Sequence, residues 1–484
     1  PAFRKEINRQ HALHLEHGSC AGRIIQDIRL DPFSQRIADR VRELGQHFVG
    51  RDWLATAVEN EIKRNRADDT EYETKETSTS ANQTVVVYGD SGTGKSAFFS
   101  RILDTKFCRD SKGSWLNLHN QVLARHICRV QDDDSLDPIK WVRSLAGQIF
   151  SMFSQNGKIN SALNIGNHSD LDGFINWIES EDSVRKILSE WILPVLNTVG
   201  NASELDGRCL IMIDSLDEAL TIDVLHGKSK DTIVTYLLEF RRKWPSWIQF
   251  LATSRPDVIT KEKLNPLTGA SINVRDQRNL SDIHDYVKLK LEPFRDWNIG
   301  DNPRLPSDVA ENVSSHMDDR SKGSLRVTSQ SFRLSHEDTT TLICSKANGV
   351  FMYACEVLSQ LEENPTLDLD GLPKGLAELY MKRYETTFPD DDALDQFEEH
   401  TAPMLAMLVA SRGPLSTNVV KDAGVDLKVE PERSFKTQRR RHLEFIQRMC
   451  VGSLVDVGLL QFSHKSFSDW LNDKNNEDFR VEKE

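Results

Sequence analysis

The eight residues GDSGTGKS, at 89–96, put three glycines, a lysine and a serine where a polyphosphate can be gripped. They match G-x-x-x-x-G-K-[ST] in full, and a chance match in such a chain is on the order of one in fifty. Gly89, Gly92 and Gly94 let the stretch Gly89, Asp90, Ser91, Gly92, Thr93, Gly94 curl into a concave nest of backbone N–H groups. A helix starting at Lys95, Ser96 and Ala97 adds its positive dipole end. Lys95 brings a point charge to the β- and γ-oxygens, and the Ser96 hydroxyl is placed to ligate Mg²⁺.

A second constellation is CLIMIDSLDEAL, 209–220, an apolar run that ends in acids. Asp214 is expected beside the Mg²⁺ held by Ser96. Asp217 and Glu218 follow within one turn, so either can orient or deprotonate an attacking water. Glu218 is the first candidate and Asp217 the second. A third is FLATSRPD, 250–257, where another apolar run ends in Thr253, Ser254 and Arg255. An arginine at that edge can sense or stabilise a γ-phosphate, or simply pair with a surface acid.

Other groups are better read as solvated surface. His11, His14 and His17 share helical spacing, but no acid or cysteine cluster completes a metal set. KTQRRRH, 436–442, is the best nucleic-acid argument in the chain, yet a solvated helix start explains it more simply. The acid runs Asp132–Asp134 and Asp390–Asp392 read as loops and helix starts.

The elements that must position these residues follow from pattern. Val85–Tyr88, Cys209–Ile213 and Ile248–Thr253 are short apolar runs of the kind buried on both faces of a parallel sheet. Between them lie helical stripes: Asp137-Pro138 caps a helix carrying Val142, Leu145, Ile149 and Phe153, and Val184–Val195 repeats the spacing with a kink expected at Pro194. Another helix spans about Asp231 to Trp244. Residues 66–84 are polar and Thr/Ser-rich and read as a mobile connection. Past Asn279 helices dominate, at about 281–296, 306–317 and 337–361, then 374–387 and 392–410, with a longer one near 438–449. Leu454-Val455 and Leu459–Phe462 flank a turn, and helices followed by a hairpin suggest a winged-helix module.

Length and charge set the outer bounds. A chain of 484 residues suggests about three domains. The formal charge of −13 argues against a whole-surface grip on nucleic acid. Seven scattered cysteines without a Cys-x-x-Cys pair fit reduced thiols in a cytoplasmic compartment. No apolar run is long enough for a membrane span, and no secretory leader is visible, so the Asn-x-Ser/Thr sequons such as Asn279 read as unused. No internal repeat or effector domain is recognisable, which suggests a fragment of something longer.

In combination, FVGRDWL (48–54), GDSGTGKS, ARHICRVQDDDSLDPIKWVRSLAGQI (124–149), LIMIDSLDEAL and FLATSRPD resemble NACHT-type STAND ATPases. ANGVFMYACEVL (347–358), LPKGLAELYMKRY (372–384), MLAMLVASRGPLS (404–416) and LLQFSHKSFSDWL (459–471) are similar to the subclass whose NACHT domain precedes ankyrin, TPR or WD40 repeats. Many relatives have a proline after the glycine of the helical-domain motif; here Gly349 is followed by Val350. The implied fold class is α/β, a doubly wound parallel-sheet P-loop NTPase domain followed by a small helical domain and a winged-helix domain. Its bounds would be a helical segment or linker at 1–45, the nucleotide-binding domain at 46–277, the helical domain at 278–370, the winged helix at 371–475 and a polar tail at 476–484. The resemblance also implies that Phe48, Val49, Gly50 and Arg51 border adenine and ribose, and that His464 reaches the β-phosphate of ADP. The expected activity is that of a signal-transducing ATPase switch using ATP/ADP and Mg²⁺. ADP would hold it closed; exchange for ATP, set off by a protein or ligand trigger, would allow self-association through the nucleotide-binding domain. A continuously cycling AAA-like ATPase acting on nucleic acid, and a nucleotide-binding scaffold without turnover, are the alternatives.

Overall fold

Five short runs of β-branched and apolar residues can be buried on both faces, and they build the central sheet. These strands are β1 (Thr84–Tyr88), β2 (Val122–Ile127), β3 (Cys209–Asp214), β4 (Ile248–Ser254) and β5 (Thr268–Asn273). Their order is β2-β3-β4-β1-β5, and every neighbouring pair is parallel. Side chains alternate between two cores. Val86, Ile211, Ile213, Phe250 and Ala252 face one; Val85, Val87, Leu210, Met212 and Leu251 face the other. Pairing of Tyr88 with Ser254, Ile213 with Ala252 and Ile127 with Asp214 brings the carboxyl ends of four strands to one edge. In such sheets that edge is where ligands bind.

The computed structural model describes residues 31, 33–45, 48–71, 84–130, 132–153, 171–202, 209–220, 231–256, 262–265, 268–273, 276–292, 336–363, 369, 371–388, 394–395, 398, 401–410, 415–416, 450–451, 459–462, 465–473 and 476. The chain divides into two compact units, Pro1–Val274 with Asp390–Glu484, and Arg275–Pro389.

In the first unit, α1 (Ser34–Gly45) packs against α3 (Lys95–Leu103), the helix that the phosphate loop opens. Between them in sequence, α2 (Asp52–Glu71) buries Leu54, Val58 and Ile62 on the same core as Phe98, Phe99 and Ile102 of α3. That helix reaches Glu71, further than the polar composition of its last turns suggested. Arg, Ala and Glu extend a helix cheaply once an apolar face has nucleated it. After α4 (Thr105–Asp110), α5 (Ser114–His119) closes this core with Trp115 and Leu118.

The opposite face is covered by longer helices. Beyond the single turn α6 (Asp133–Leu136), α7 (Pro138–Phe153) starts where Asp137 accepts the Ile139 N–H at 2.9 Å. It packs Val142, Leu145 and Ile149 beside Phe174 and Ile178 of α8 (Leu171–Ser180). The next helix, α9, is Val184–Lys186, a π-helical segment Ile187–Ile192, and Leu193–Ala202. The kink expected at Pro194 is taken up by this widened turn, in which the Leu193 N–H bonds to Leu188. α10 (Ile233–Phe240) completes the layer. Each fully buried Leu, Ile or Phe contributes about 2 kcal/mol. Exposed pairs such as Arg185–Glu239 at 2.9 Å are screened by solvent and add little, so the doubly covered sheet dominates.

The second unit is helical: α11 (Gln277–Leu291), α12 (His336–Ala347), α13 (Phe351–Glu363) and α14 (Gly375–Thr387). Asp276 caps α11 by accepting the Arg278 N–H at 2.9 Å. Gly349 (φ 81°) turns the chain between α12 and α13, and its carbonyl accepts the buried Asn279 amide at 2.8 Å. The sequon asparagine is therefore part of the core. Lys346 is also buried and donates to Leu369 O at 3.2 Å and to Leu372 O. α14 packs on α12 and α13, so 371–388 joins this unit, whereas the sequence reading opened its third block at 371. The helix expected at 306–317 lies outside the described residues.

Within Asp390–Glu484, α15 (Ala402–Ala410) precedes β6 (Leu415–Ser416), β7 (Cys450–Val451) and β8 (Leu459–Phe462), a small antiparallel sheet of order β6-β8-β7. Among the described residues β8 pairs antiparallel with Cys450–Val451. Leu454-Val455, the helix near 438–449 and the basic run 436–442 lie outside the described residues. α16 (Lys465–Leu471) follows β8 and is anchored by Phe467, edge-on to Phe462 at 5.6 Å.

Candidate phosphate-binding site at the sheet edge

The phosphate loop is stitched to its neighbouring strand by the Gly89 N–H, which donates to Ser254 O at 3.1 Å. Gly92 and Gly94 have φ of 76° and 88°, the left-handed region where glycine costs nothing; Gly89 is not among the positive-φ glycines. Gly94 is the N-cap of α3, so the first N–H groups of that helix face the loop. Thr93 is buried and donates its hydroxyl to Asp90 O at 2.8 Å. Ser91 and Ala97 are half-buried along the loop and first helical turn.

Lys95 reaches back across the loop to Gly89 O at 2.6 Å and Asp90 O at 2.9 Å. Burial lowers its pKa to about 8, against the pull of Asp217 and Asp214. Asp214, at the end of β3, is buried and accepts from Thr253 Oγ1 at 2.5 Å and from the Ser96 hydroxyl. Burial raises its pKa and these bonds oppose the rise. The Thr253 hydroxyl in turn accepts the Ser215 N–H at 2.8 Å, where Ser215 turns the chain at φ 56°. Ser96 and Asp214 together offer two hard oxygen donors of the kind that could hold Mg²⁺. Among the described residues no group of three or more His, Cys, Asp or Glu could hold a metal; His11, His14 and His17 lie outside them.

The two candidate acids have different partners. Asp217 accepts the Arg255 N–H at 3.2 Å and pairs with its Nε at 3.4 Å. Glu218, on a 3₁₀ turn, accepts the Val130 N–H at 2.6 Å. Arg255 also meets Asp469 of α16 at 2.7 Å. Burial works against its charge, but Asp469 and then Asp217 outweigh that and hold its pKa above the ordinary value.

Upstream, Phe48 packs edge-on against Trp115 at 5.7 Å, with the Arg101 guanidinium over its ring at 5.3 Å. Val49 and Gly50 are half-buried. Gly50 and Arg51 both have positive φ, 77° and 68°, and the reversal sends the buried Arg51 side chain to Thr93 O in the phosphate loop. Phe48–Arg51 is thus tied to Gly89–Ser96 through one guanidinium. His464 lies outside the described residues. Two partners were not singled out from the sequence: Asp469 and the loop Cys128–Val130. Asp469 sits in the quoted LLQFSHKSFSDWL motif, five positions after His464, which was the available signal.

The fold and this edge define a parallel-sheet α/β domain whose first strand leads into a glycine-rich loop of the G-x-x-x-x-G-K-[ST] pattern. Residues 66–255 match the family model described as Nephrocystin 3, N-terminal. That span runs from the last turns of α2 to Arg255. Among solved structures, the chain is similar to C. elegans PCH-2, at 12% identity over 67% of this chain and 66% of that one, with a TM-score of 0.28. It is similar to the Aeropyrum pernix ORC2 protein in its ADPNP-ADP complexes, at 11% identity over 88% and 93% of the two chains, with a TM-score of 0.31. A chain of the E. coli MS115-1 HORMA:CdnC:Trip13 complex matches at 12% identity over 66% and 91%, with a TM-score of 0.23. No helix among the described residues is long and apolar enough to cross a membrane.

Proposed function

We propose that this protein binds ATP and ADP at Gly89–Ser96 and acts as a nucleotide-controlled switch with slow hydrolysis. The observation that supports the switch is the Arg255 bridge, 3.4 Å from Asp217 and 2.7 Å from Asp469. One guanidinium joins the acids after β3 to the helix α16, which lies far along the chain. A γ-phosphate gripped by Lys95 would compete with Asp469 for Arg255, because a dianionic phosphate oxygen set outbids one carboxylate. Asp469 would then lose its counter-charge, which favours departure of α16 from the edge. Ser96 and Asp214 would hold Mg²⁺, which supplies charge neutralisation at the β- and γ-oxygens. Glu218 is assigned to orient the attacking water and Asp217 to hold Arg255. Self-association through the nucleotide-binding domain, and its trigger by a protein or ligand, belong to the same reading.

The test is to denature the purified protein, identify the released nucleotide by mass, and repeat this for Lys95→Ala and Asp469→Asn. Lys95→Ala should emerge without nucleotide. Asp469→Asn should hold less ADP relative to ATP and shift toward larger assemblies on sizing. If both variants matched the wild type in nucleotide content and size, the switch would be wrong.

A further inference from the structure

Among the described strands the parallel sheet ends at β2, whose inner side pairs with β3. Alternate residues of a strand send both peptide groups to the same side. The Cys128 N–H donates to Asp214 O at 3.0 Å, so Ala124, His126 and Cys128 turn their peptide groups toward β3. Arg125 and Ile127 therefore turn theirs outward. An outward row of N–H and C=O groups is a template on which another strand can pair.

One side chain occupies both outward groups of Arg125. The Arg125 N–H donates to Gln148 Oε1 at 2.9 Å, and the Arg125 carbonyl accepts from Gln148 Nε2 at 2.9 Å. Gln148 of α7 thus offers the donor and acceptor that a neighbouring strand would offer. A second partner fixes which way its amide faces. Nε2 also donates to Ser144 Oγ at 3.1 Å, and the buried Ser144 hydroxyl gives its own hydrogen to Asp31 Oδ1 at 2.8 Å. Asp31 is kept beside β2 by the residues that follow it. Phe33 packs edge-on against His126 at 5.0 Å, and Arg36 pairs with Asp132 at 2.5 Å. The edge is blunted on either side of Arg125 as well. The register slips between Val122 and Ala124, and beyond the strand the Arg129 N–H donates to Ser135 Oγ at 2.8 Å.

We propose that Gln148 is an edge guard: it fills the strand-pairing site of β2 and keeps two copies of this chain from joining their sheets. Asp31 locks the guard through Ser144. The occupant that the guard excludes is β2 of a second copy, because a two-fold pairing of the same strand would close both edges at once. Loss of the Asp31 contact leaves the Ser144 hydroxyl able to turn away from its present partner, and the Gln148 amide loses the fixed neighbour that orients it. The segment ahead of α1 thereby controls whether this edge is closed. The guard is independent of the nucleotide reading above, since none of its residues touches Gly89–Ser96.

The experiment is size-exclusion chromatography with light scattering on the full chain over a range of concentrations. Gln148→Leu should reach about twice the wild-type mass, at concentrations about tenfold or more below any at which the wild type associates. Asp31→Ala should move the same way with a smaller effect. Adding Arg125→Pro to Gln148→Leu removes the outward N–H, at a position where an edge strand tolerates proline, and should restore the wild-type mass. If Gln148→Leu lowered the melting midpoint but kept the wild-type mass at every concentration, Gln148 would be a structural residue and the guard would be wrong. Association that Arg125→Pro did not reverse would run through another surface, and would overturn the guard equally. Hydrogen exchange over Val122–Ile127 covers the case in which the proline variant fails to fold. In Gln148→Leu these amides should exchange faster than in the wild type when dilute, and regain protection on concentration. Protection that concentration did not restore would overturn the proposal.

Discussion

Each unit of this protein sets a lysine against backbone carbonyls, Lys346 buried and Lys95 half-buried, and their surroundings differ. Lys346 of the helical unit donates to Leu369 O and Leu372 O and so ties α12 to the segment that leads into α14. Lys95 donates to Gly89 O and Asp90 O within its own loop, surrounded by Asp217, Arg255, Asp214 and Asp90. The first amine closes a chain path between elements distant in sequence. The second spans only a few residues and faces charges of both signs, which suits the proposed exchange of a carbonyl for a phosphate. Burial of a cation is therefore not by itself a mark of function. The neighbours it could exchange decide.

The sharpest way to break this contrast is to remove each amine. Lys95→Ala should weaken nucleotide binding by about a hundredfold or more, since one buried charge-assisted contact to phosphate is lost. Its thermal midpoint without ligand should hold steady or rise, because a desolvated ammonium is gone. Lys346→Met should do the reverse. Two buried carbonyls lose their donor, costing about 2–3 kcal/mol in denaturant unfolding, while nucleotide affinity measured by calorimetry is unchanged. If Lys346→Met altered affinity and left stability alone, the contrast would collapse.

A pH titration sharpens it further. The Lys95 pKa in the folded protein is about 8, below its ordinary 10.5. The folded state therefore binds this proton more weakly than the unfolded state. The stability cost is fully present below pH about 8 and is relieved as pH rises from about 8 toward 10.5. Phosphate binding needs the charged amine, so affinity should be flat below pH 8 and fall up to about tenfold per unit above it. A Kd that stayed flat to pH 9.5 would place the grip elsewhere.

The smallest expected effect is at Gly349, where φ is 81° and an added Cβ would meet Asn279 Nδ2 at 3.4 Å. Gly349→Ala should cost about 1 kcal/mol, read as a modest drop in the melting midpoint with nucleotide affinity untouched.

The strands β1, β3 and β4 were legible because burial on both faces makes each a continuous apolar run with no competing period. The cap at Asp137 and the break near Pro194 were legible for equally local reasons, although a π-helical segment, with Trp191 and Ile192 buried, stands where a bare kink was expected. The extent of α2 was not, since its last turns are polar and carry no apolar stripe. The placing of α14 with α12 and α13 was not either, because an amphipathic helix shows that it has a buried face and not which neighbour covers it.

The geometry of the proposed phosphate loop was a matter of sequence alone. A nest and a helix N-terminus are made by consecutive residues, so Gly92, Gly94, Lys95 and Ser96 specify their own geometry wherever a strand precedes them. The acids at Asp214, Asp217 and Glu218 came with it, since a strand end delivers whatever follows it to the sheet edge. What the tertiary structure decided was who meets whom there. Asp217 holds Arg255, Glu218 takes the Val130 amide, and Asp469 arrives on α16 to share Arg255. Such pairings depend on where a chain returns after a long excursion, and no local periodicity or spacing encodes that return.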